Sequence, residues 1–348
     1  MKFGTIIREW YKKNVRELPM RQTRDPYMIW ISEIVLQQTR MNQGLPYYLS
    51  FIEAFPDVAS LAGASEDEVL LKWQGLGYYN RARNLQWSAR YIMEQLGGVM
   101  PGDFEGLIKL KGVGRYTAAA IASFCYNEAI AAVDGNVARV IARLYGVEDP
   151  VNSTTGSRQI EALAQALLDR DDPGNHNQAM IDFGALQCTP SSPKCASCPL
   201  SEACYANLHG KVELLPVKTP TRKAQLRWFY FYIISHKDRV ILTKRGDQDI
   251  WKSLYQFPVV ESLKPLPEEE LLGRLMPAGL TASVKKTSLS PTIPHQLSHR
   301  TIHARFIHTE VGSLPSSLPE GWLPVERQNL DSYPVPRLIS RYLESFKF

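Results

Sequence analysis

The 348-residue sequence lacks the features that mark membrane, secreted and disulfide-rich proteins. It contains no run of 18 apolar residues, which argues against a membrane-spanning helix. Its first ten residues are amphipathic, include Glu9 and lack the apolar core of a signal peptide. Five cysteines are too few for a disulfide scaffold in a chain of this length. We therefore expect a globular protein in a reducing, intracellular location such as the cytoplasm.

The chain also has little excess of charge of either sign. It carries 40 Lys and Arg against 35 Asp and Glu, a net charge of +5. Residues 1–210 hold 20 basic and 22 acidic side chains, whereas residues 211–348 hold 20 and 13, which gives net charges of −2 and +7. Nucleic-acid binding by the first part therefore cannot rest on bulk charge. It would require local basic groups and backbone contacts to phosphates.

The first 210 residues have the apolar periodicity of helices. Residues 26–38 predict a helix with Asp25 as its N-cap and Pro26 at its first position. Residues 78–96 form a long amphipathic stretch that ends at a Gly-Gly pair, a helix-stop signal. No strand pattern stands out in this part of the chain, so we expect an all-α domain over residues 1–210.

The composition changes beyond this helical part. Residues 211–226 contain two prolines and several basic side chains, which is typical of a linker. Residues 228–234 are aromatic and β-branched, and residues 240–243 and 302–308 show two further strand patterns. We expect a smaller α+β domain with several antiparallel strands over residues 227–348.

Four of the five cysteines lie within 17 residues of one another. They are Cys188, Cys195, Cys198 and Cys204, with the spacing C-x6-C-x2-C-x5-C. Four thiolates suit either zinc or an iron–sulfur cluster, and thiols without a metal are a third reading. Zinc sites more often show two short C-x2-C pairs, and this sequence has one, so we favour a [4Fe–4S] cluster. The fifth, Cys125, lies in an apolar helical stretch and is expected to belong to the core.

A glycine turn, Gly112-Val113-Gly114, separates two helical segments. Such a turn exposes backbone N–H groups next to a helix N-terminus, where an anion is stabilised. Lys111 and Arg115 flank it and would add charge for a phosphate. An ordinary connection between helices explains this motif equally well when it is taken alone.

Two carboxylates stand in settings that suit acid–base chemistry. Glu33 lies among the apolar residues of its predicted helix, which should raise its pKa, as a general acid near neutral pH requires. A surface position on that helix is the alternative. Asp134 precedes a helix and fits an N-cap. A capping aspartate still presents its other oxygen at a fixed point.

The order of these features resembles the helix-hairpin-helix DNA glycosylase superfamily with an iron–sulfur cluster. The features that carry this resemblance are, in chain order, Glu33 in Ser-Glu-Ile-Val-Leu-Gln-Gln-Thr, the glycine hairpin, Asp134-Gly135-Asn136 and the four cysteines. Within the superfamily the chain resembles the MutY family of adenine glycosylases, which act opposite 8-oxoguanine. The resemblance covers nearly the whole chain. It implies a base excision repair enzyme, active as a monomer on double-stranded DNA with A:8-oxoguanine or A:G mispairs.

The resemblance also implies roles for individual residues. Adenine would be flipped from the duplex into a pocket, where Glu33 protonates the base at N7 and Asp134 stabilises an oxocarbenium-like sugar. Further residues match family positions: Tyr116 and Asn136 hold this arrangement, Arg21 and Gln178 surround the adenine, and Gln38 and Tyr78 insert into the DNA. Tyr78 lies in a glycine-rich turn that can present an aromatic wedge, and core packing is its alternative reading.

One position separates the subfamilies by chemistry. Bifunctional members such as endonuclease III carry a lysine just after the hairpin, which forms a Schiff base with the sugar, and this chain has Tyr116 there. Without an amine no efficient route to the imine exists. We therefore expect a monofunctional enzyme with weak or no strand cleavage.

The C-terminal part resembles the Nudix-like domain of the same family through residues 250–258. In that family this domain reads the 8-oxoguanine strand, and Ser298 and His299 fit the lesion-sensing pair. A polar surface loop is the alternative. Two departures are Leu297, where phenylalanine is usual, and Met20, where tryptophan is usual. The acidic run at 268–270 lacks the ordered Nudix metal motif, so we expect no pyrophosphohydrolase activity.

Three rival functions follow from the same residues. A glycosylase of this fold that removes thymine opposite guanine would share Tyr116 and Asp134. A nucleotide-pool hydrolase would need the Nudix carboxylates that the sequence lacks. A non-catalytic iron–sulfur DNA-binding protein would leave Glu33 and Asp134 without a role.

Overall fold

A computed structural model describes residues 3–220, 224–247, 250–273, 283–315 and 317–345. The chain forms two compact units, each made of two separate stretches. The first unit comprises Met1–Gly63 and Asn84–Pro220, and the second comprises Ala64–Arg83 and Thr221–Phe348. This division differs from the predicted domain boundaries, which placed residues 64–83 with the helical part.

In the described chain up to residue 220 the regular structure is helical, and the structure describes no strand there. The predicted all-α region is thus confirmed. In chain order the helices are α1 Phe3–Asn14, α2 Pro26–Leu36, α3 Met41–Ala54, α4 Val58–Gly63, α5 Glu66–Lys72, α6 Asn80–Gln95, α7 Phe104–Leu107, α8 Arg115–Tyr126, α9 Gly135–Tyr145, α10 Thr154–Leu167, α11 Pro173–Leu186 and α12 Tyr205–Leu208.

Local signals set several helix ends. The Asp25 carboxylate accepts the backbone N–H of Tyr27 at 2.8 Å, and Pro26 opens α2, as predicted. Helix α6 ends before Gly97 and Gly98, which have φ of 62° and 81°, a left-handed backbone that favours glycine. These ends follow from residues a few positions apart, which is why the sequence predicted them.

One hydrophobic cluster of the first unit lies where α1, α9 and α11 pack together. Ile7, Val140, Ile141 and Phe183 are almost fully buried there. The Trp10 ring meets Phe183 edge-on, with the ring centroids 4.9 Å apart. This packing sets α9, which follows Asp134, against α11, which leads into the cysteine segment.

The predicted linker at 211–226 is largely bound to the first unit. The carbonyl of Val217 accepts the backbone N–H of Val151 at 3.0 Å, and the carbonyl of Leu215 accepts Arg143 Nε at 2.9 Å. Leu215 itself is buried. The first strand of the second unit begins at Gln225, inside the predicted linker.

The described residues of the second unit form an eight-stranded mixed sheet. Its strands are β1 Gln225–His236, β2 Arg239–Lys244, β3 Tyr255–Gln256, β4 Val259–Ser262, β5 Val284–Leu289, β6 Ile293–Gln296, β7 Arg300–Val311 and β8 Trp322–Glu326, with helices α13 Glu268–Gly273 and α14 Arg337–Ser345. The main order is β3-β2-β1-β7-β5, while β4 pairs with β1, β6 with β7 and β8 with β2.

The central pair of this sheet is parallel. Strands β1 and β7 run together from Gln225 opposite Arg300 to Ser235 opposite Glu310, whereas the other pairs are antiparallel. The sequence predicted antiparallel strands and missed this pair. Apolar patterns locate strands but not their direction, and the long connection from β1 to β7 leaves room for a parallel crossover.

The sheet is covered on both faces, which explains the continuous apolar run of β1. On one face Phe306 stacks on Tyr342 of α14, with the ring centroids 3.6 Å apart. On the other face Tyr232 packs near Leu271 of α13 and donates its hydroxyl to the carbonyl of that residue at 2.8 Å. No helix within the described ranges is long and apolar enough to cross a membrane.

Candidate active site

A cavity of about 470 Å³ in the first unit collects residues that are far apart in the sequence. It is lined by Arg21, Glu33, Gln38, Tyr116, Asp134, Asn136 and Gln178, among other residues. They come from a short turn at Pro19–Arg21, from α2 and the residues after it, and from the start of α8, the start of α9 and α11. Met20 also lines the cavity, at the position where the family has tryptophan.

Glu33 holds its carboxyl group at the wall of this cavity. Its helix, α2, is apolar, and Ile29, Trp30 and Ile34 are almost fully buried. Burial, reinforced by the nearby charge of Asp134, raises the pKa of Glu33 to about 7, although a hydrogen bond from Tyr116 and the charge of Arg21 oppose the shift. The predicted rise in pKa is confirmed. A protonated and an ionised form are both accessible near neutral pH.

Tyr116 stands beside Glu33 at the second position of α8. Its hydroxyl donates a hydrogen bond to the Glu33 carboxyl group. Burial and the charges of Glu33 and Asp134 raise the pKa of Tyr116 well above its ordinary value, so the hydroxyl stays protonated. Tyr116 is therefore a fixed donor at this point, with no amine for imine chemistry.

Asp134 is the N-cap of α9. Its Oδ1 accepts the backbone N–H groups of Asn136 and Val137, each at 2.8 Å, and its Oδ2 accepts Asn136 Nδ2 at 2.7 Å. Burial raises the pKa of Asp134, while these hydrogen bonds act in the opposite direction because they favour the carboxylate. The capping role and the role as a fixed negative group are compatible, as the sequence suggested.

Arg139 connects this cap to the cysteine segment. It is buried and donates from Nη2 to Asn136 Oδ1 at 2.9 Å and to the carbonyl of Gly184 at 2.8 Å. Its Nε donates to the carbonyl of Cys188 at 2.8 Å. The Asn136 side chain thus accepts a hydrogen bond from Arg139 through its Oδ1 and donates one to Asp134 through its Nδ2.

Arg21 and Gln178 are fixed by partners behind the cavity wall. Arg21 donates two hydrogen bonds to the carboxylate of Asp182, which is fully buried, and Arg16 pairs with the same carboxylate. Burial lowers the pKa of Arg21, but Asp182 outweighs that effect and raises it overall. The Tyr11 hydroxyl donates to Gln178 Oε1 at 3.0 Å. Both predicted base contacts are therefore anchored before any ligand arrives.

The glycine hairpin lies between α7 and α8. Gly112 has a φ of 83°, and Gly114 is the N-cap of α8 with an extended backbone. Lys111 Nζ stands 5.2 Å from the centroid of Trp87, and Arg115, which is mostly exposed, pairs with Glu161 at 3.4 Å. Surface pairs of this kind contribute little to stability, so both cations can turn to a phosphate at little cost.

The four cysteines surround one small cavity of about 30 Å³ between α11 and α12. All four thiols are free, and the segment has only two short 3₁₀ turns, Cys195–Ser197 and Ser201–Ala203. Arg143 Nη1 lies 3.5 Å from Cys188 Sγ and also donates to the carbonyl of Thr189 at 2.7 Å. Among the described residues, no group of three or more Cys, His, Asp or Glu is close enough to hold a single metal ion.

The remaining predicted residues belong to the second unit. Tyr78 is half exposed, with a φ of 49°, and its hydroxyl is 2.6 Å from Ser298 Oγ. Ser298 and His299 are exposed in the turn between β6 and β7. The structure thus brings the predicted wedge and one predicted lesion-sensing residue together. The core-packing alternative for Tyr78 is wrong.

Sequence reasoning missed Asp182, Tyr11 and Arg139. Asp182 and Arg139 are charged residues within apolar stretches of helix, and that signal was available in the sequence. A buried charge needs a partner, so such a residue marks a network. Most of these partners could not be identified, because Gly184 lies 45 positions from Arg139 and Arg16 lies 166 positions from Asp182.

Comparisons with known proteins identify the families to which the two parts of this chain are similar. Residues 31–170 match the HhH-GPD superfamily of base excision DNA repair proteins, and residues 229–345 match the NUDIX domain. The adenine DNA glycosylase of Buchnera aphidicola subsp. Acyrthosiphon pisum is 33% identical over 99% of this chain and 97% of its own length. The adenine DNA glycosylase of Homo sapiens is 43% identical over 61% of this chain and 40% of its own length.

A solved structure of a thermostable thymine-DNA glycosylase is similar to the helical part. It is 30% identical, with a TM-score of 0.55, over 59% of this chain and 95% of that protein. The similarity to solved glycosylases and the helical architecture thus point to one fold for the part of the chain that contains the cavity.

Proposed function

The chain belongs to the adenine DNA glycosylase family, and we propose that it hydrolyses the N-glycosidic bond of adenine mispaired with 8-oxoguanine or guanine in DNA. It is a DNA N-glycosylase with a helix-hairpin-helix domain followed by a Nudix-like domain. The observation that carries the proposal is the cavity in which Glu33 and Asp134 stand together, one carboxyl group with a pKa of about 7 and the other held by three hydrogen bonds.

Glu33 supplies the acid and then the base. With its pKa near 7, its carboxyl group donates a proton to N7 of the flipped adenine as the bond from C1′ to N9 breaks. The bonding electrons leave with the neutral base. The Glu33 carboxylate then accepts a proton from the water that adds to C1′, which restores the acid. The Tyr116 hydroxyl keeps the Glu33 carboxyl group in place through both steps.

Asp134 stabilises the positive charge that develops on the sugar. Three N–H donors favour its ionised form, and their directions fix the carboxylate at the N-terminus of α9. Asn136 provides two of these donors and is itself held by Arg139. Separate surroundings thus assign the acid role to Glu33 and the electrostatic role to Asp134.

Arg21 and Gln178 contact the flipped base. Both line the cavity, and both are anchored from behind by Asp182 and Tyr11. Gln178 Oε1 already accepts the Tyr11 hydroxyl, so its Nε2 group remains to donate to an acceptor nitrogen of the base. Because Tyr116 replaces a lysine, strand cleavage is weak or absent.

The DNA is held by its backbone at several points. The hairpin residues Gly112 and Gly114 present N–H groups to a phosphate, and Lys111 and Arg115 add charge. Gln38 and Tyr78 match the family positions that insert into the DNA. Ser298 and His299 read the opposite base. The enzyme works inside the cell as a monomer on double-stranded DNA.

The four cysteines hold a [4Fe–4S] cluster with a structural role. Their thiols line one cavity and are not paired in disulfides, and Arg143 places positive charge beside them. Zinc sites more often show two short C-x2-C pairs, and this segment has one, which supports the cluster. When bound, it cross-links a segment that has little regular structure.

Single-turnover excision on labelled duplexes tests the proposal. We expect adenine loss to be fastest opposite 8-oxoguanine, slower opposite guanine, and to yield strand breaks mainly after alkali. The Glu33→Gln variant should bind the same duplexes and excise nothing. Excision at wild-type rate by that variant would overturn the role of Glu33.

The same panel addresses the rival substrate. A thymine-DNA glycosylase shares this fold at 30% identity. A duplex with thymine opposite guanine therefore belongs in the experiment. Loss of thymine with adenine left in place would keep the fold and the acid chemistry but overturn the substrate, and Met20 in the cavity wall would be the first residue to exchange.

A further inference from the structure

The turn that carries Tyr78 is tied to a single residue near the C-terminus, within the second unit. The backbone N–H of Val335 donates to Gln74 Oε1 at 2.8 Å, and the Tyr79 hydroxyl donates to the carbonyl of the same Val335 at 3.1 Å. Tyr79 and Val335 are each only 4% exposed. Buried hydrogen bonds are costly to break because water cannot replace the lost partner. Val335 therefore clamps the two residues that border the turn.

The segment around Val335 is suited to this task. Val335 is followed by Pro336, which disfavours helical backbone at the preceding residue and keeps it extended. The carbonyl of Pro334 accepts the backbone N–H of Tyr255 in β3 at 2.8 Å, which attaches the segment to the sheet. A residue anchored in this way presents its N–H and carbonyl at fixed positions.

The turn itself needs such support. Gly75 and Gly77 have φ of 98° and 76°. Tyr78, which follows Gly77 and precedes Tyr79, has a φ of 49°. A tyrosine adopts a left-handed backbone only where its surroundings impose it. The clamp of Gln74 and Tyr79 on Val335 brackets that strained residue on both sides.

The side chain of Tyr78 is then set by two further contacts. The guanidinium of Arg81 lies 5.5 Å from the centroid of the Tyr78 ring and donates to the carbonyl of Gly77 at 3.3 Å. The Tyr78 hydroxyl meets Ser298 Oγ at 2.6 Å while half of the side chain stays exposed. A shift of the turn backbone would separate that hydroxyl from Ser298.

From this arrangement we infer that Gln74 and Tyr79 are positioning residues that, through Val335, keep Tyr78 in register with Ser298 and so set the discrimination between 8-oxoguanine and guanine opposite adenine. The inference rests on the proposed function. It predicts that loosening the clamp slows excision opposite 8-oxoguanine much more than excision opposite guanine. A purely structural role would lower both rates by the same factor.

The test uses the full-length protein and three substitutions. Tyr79→Phe removes only the hydroxyl, and Gln74→Met removes the acceptor at similar length. Tyr232→Phe is the matched control, because it loses a buried hydroxyl that donates to the Leu271 carbonyl at 2.8 Å in the same unit. We expect the ratio of single-turnover rates on A:8-oxoguanine and A:G duplexes to fall about fivefold in the first two variants and to stay unchanged in the third.

Binding provides a second readout that does not need catalysis. Dissociation constants are measured for duplexes that carry a non-hydrolysable adenine analogue opposite 8-oxoguanine or opposite guanine. The ratio of the two constants is then compared between the wild-type protein and each variant. An unchanged ratio in both Tyr79→Phe and Gln74→Met, with thermal stability lowered as in Tyr232→Phe, would overturn the inference. Failure of the wild-type protein to excise adenine would instead overturn the proposed function, and the binding ratio would still decide the role of the clamp.

Discussion

The protonation state of one carboxyl group, Glu33, links the stability of this protein to its chemistry. Burial raises the pKa of Glu33 from 4.5 to about 7 in the folded chain. In the unfolded chain the group ionises near its ordinary pKa, so the unfolded state releases this proton first. The folded protein therefore loses stability as pH rises from about 4.5 to about 7, and the loss is complete above that range.

Replacement of Glu33 by glutamine should remove this pH dependence. We expect Glu33→Gln and wild type to have similar free energies of unfolding near pH 4.5. At pH 8 the variant should be more stable by up to about 3 kcal/mol, since each unit of pKa shift corresponds to about 1.4 kcal/mol. Urea denaturation at the two pH values measures the difference. An equal difference at both values would show that Glu33 is not shifted.

At the scale of an element, the hairpin between α7 and α8 shows that its two glycines are not equivalent. Gly112 has a φ of 83°, and a Cβ there would lie 2.8 Å from the Cβ of Asn84 in α6. Gly114 has an extended backbone, and a Cβ there would meet no atom within 4 Å. Conformation and space both demand glycine at the first position and neither demands it at the second.

The prediction for the hairpin follows from this difference. Gly112→Ala should destabilise the protein by about 1–3 kcal/mol and weaken binding to undamaged duplex, because the turn must shift its backbone N–H groups. Gly114→Ala is the control and should change stability by less than about 0.5 kcal/mol. Fluorescence anisotropy with labelled duplex and thermal unfolding measure both effects. An equal loss of thermal stability in the two variants would contradict the assignment of Gly112 as the constrained position.

At the scale of the whole molecule, the cysteine segment joins parts of the first unit that are remote in sequence. Arg139 and Arg143 of α9 donate to carbonyl groups of Cys188 and Thr189, and Arg143 also donates to Leu215 beyond α12. A metal cluster at the four cysteines would therefore stabilise α9 and α11 as well as its own segment.

Replacement of one cysteine ligand of the cluster should lower the stability of the whole first unit. Cys198→Ser should lower the iron content below the four atoms per chain of an intact cluster and lower the melting temperature. Cys125→Ser is the matched control, since Cys125 lies in α8 and does not line the cysteine cavity. Iron analysis and calorimetry of anaerobically purified protein measure both. Zinc in place of iron in the wild-type protein would contradict the cluster assignment.

The sequence by itself determined features that depend on a few neighbouring residues. Asp25 and Pro26 open α2, and paired glycines end α6. The spacing of the four cysteines likewise indicated a metal site from residue types and positions alone. In each case the cause and the effect lie within one or two turns of chain, so residue types alone were sufficient.

Only the tertiary structure decided which distant residues meet. It paired Arg21 with Asp182, attached residues 64–83 to the second unit and set β1 parallel to β7. Apolar periodicity shows that a face is buried but not against what, and a strand pattern carries no direction. These contacts depend on how whole elements pack and on where the connections between them can run, and neither is encoded in any short stretch of sequence.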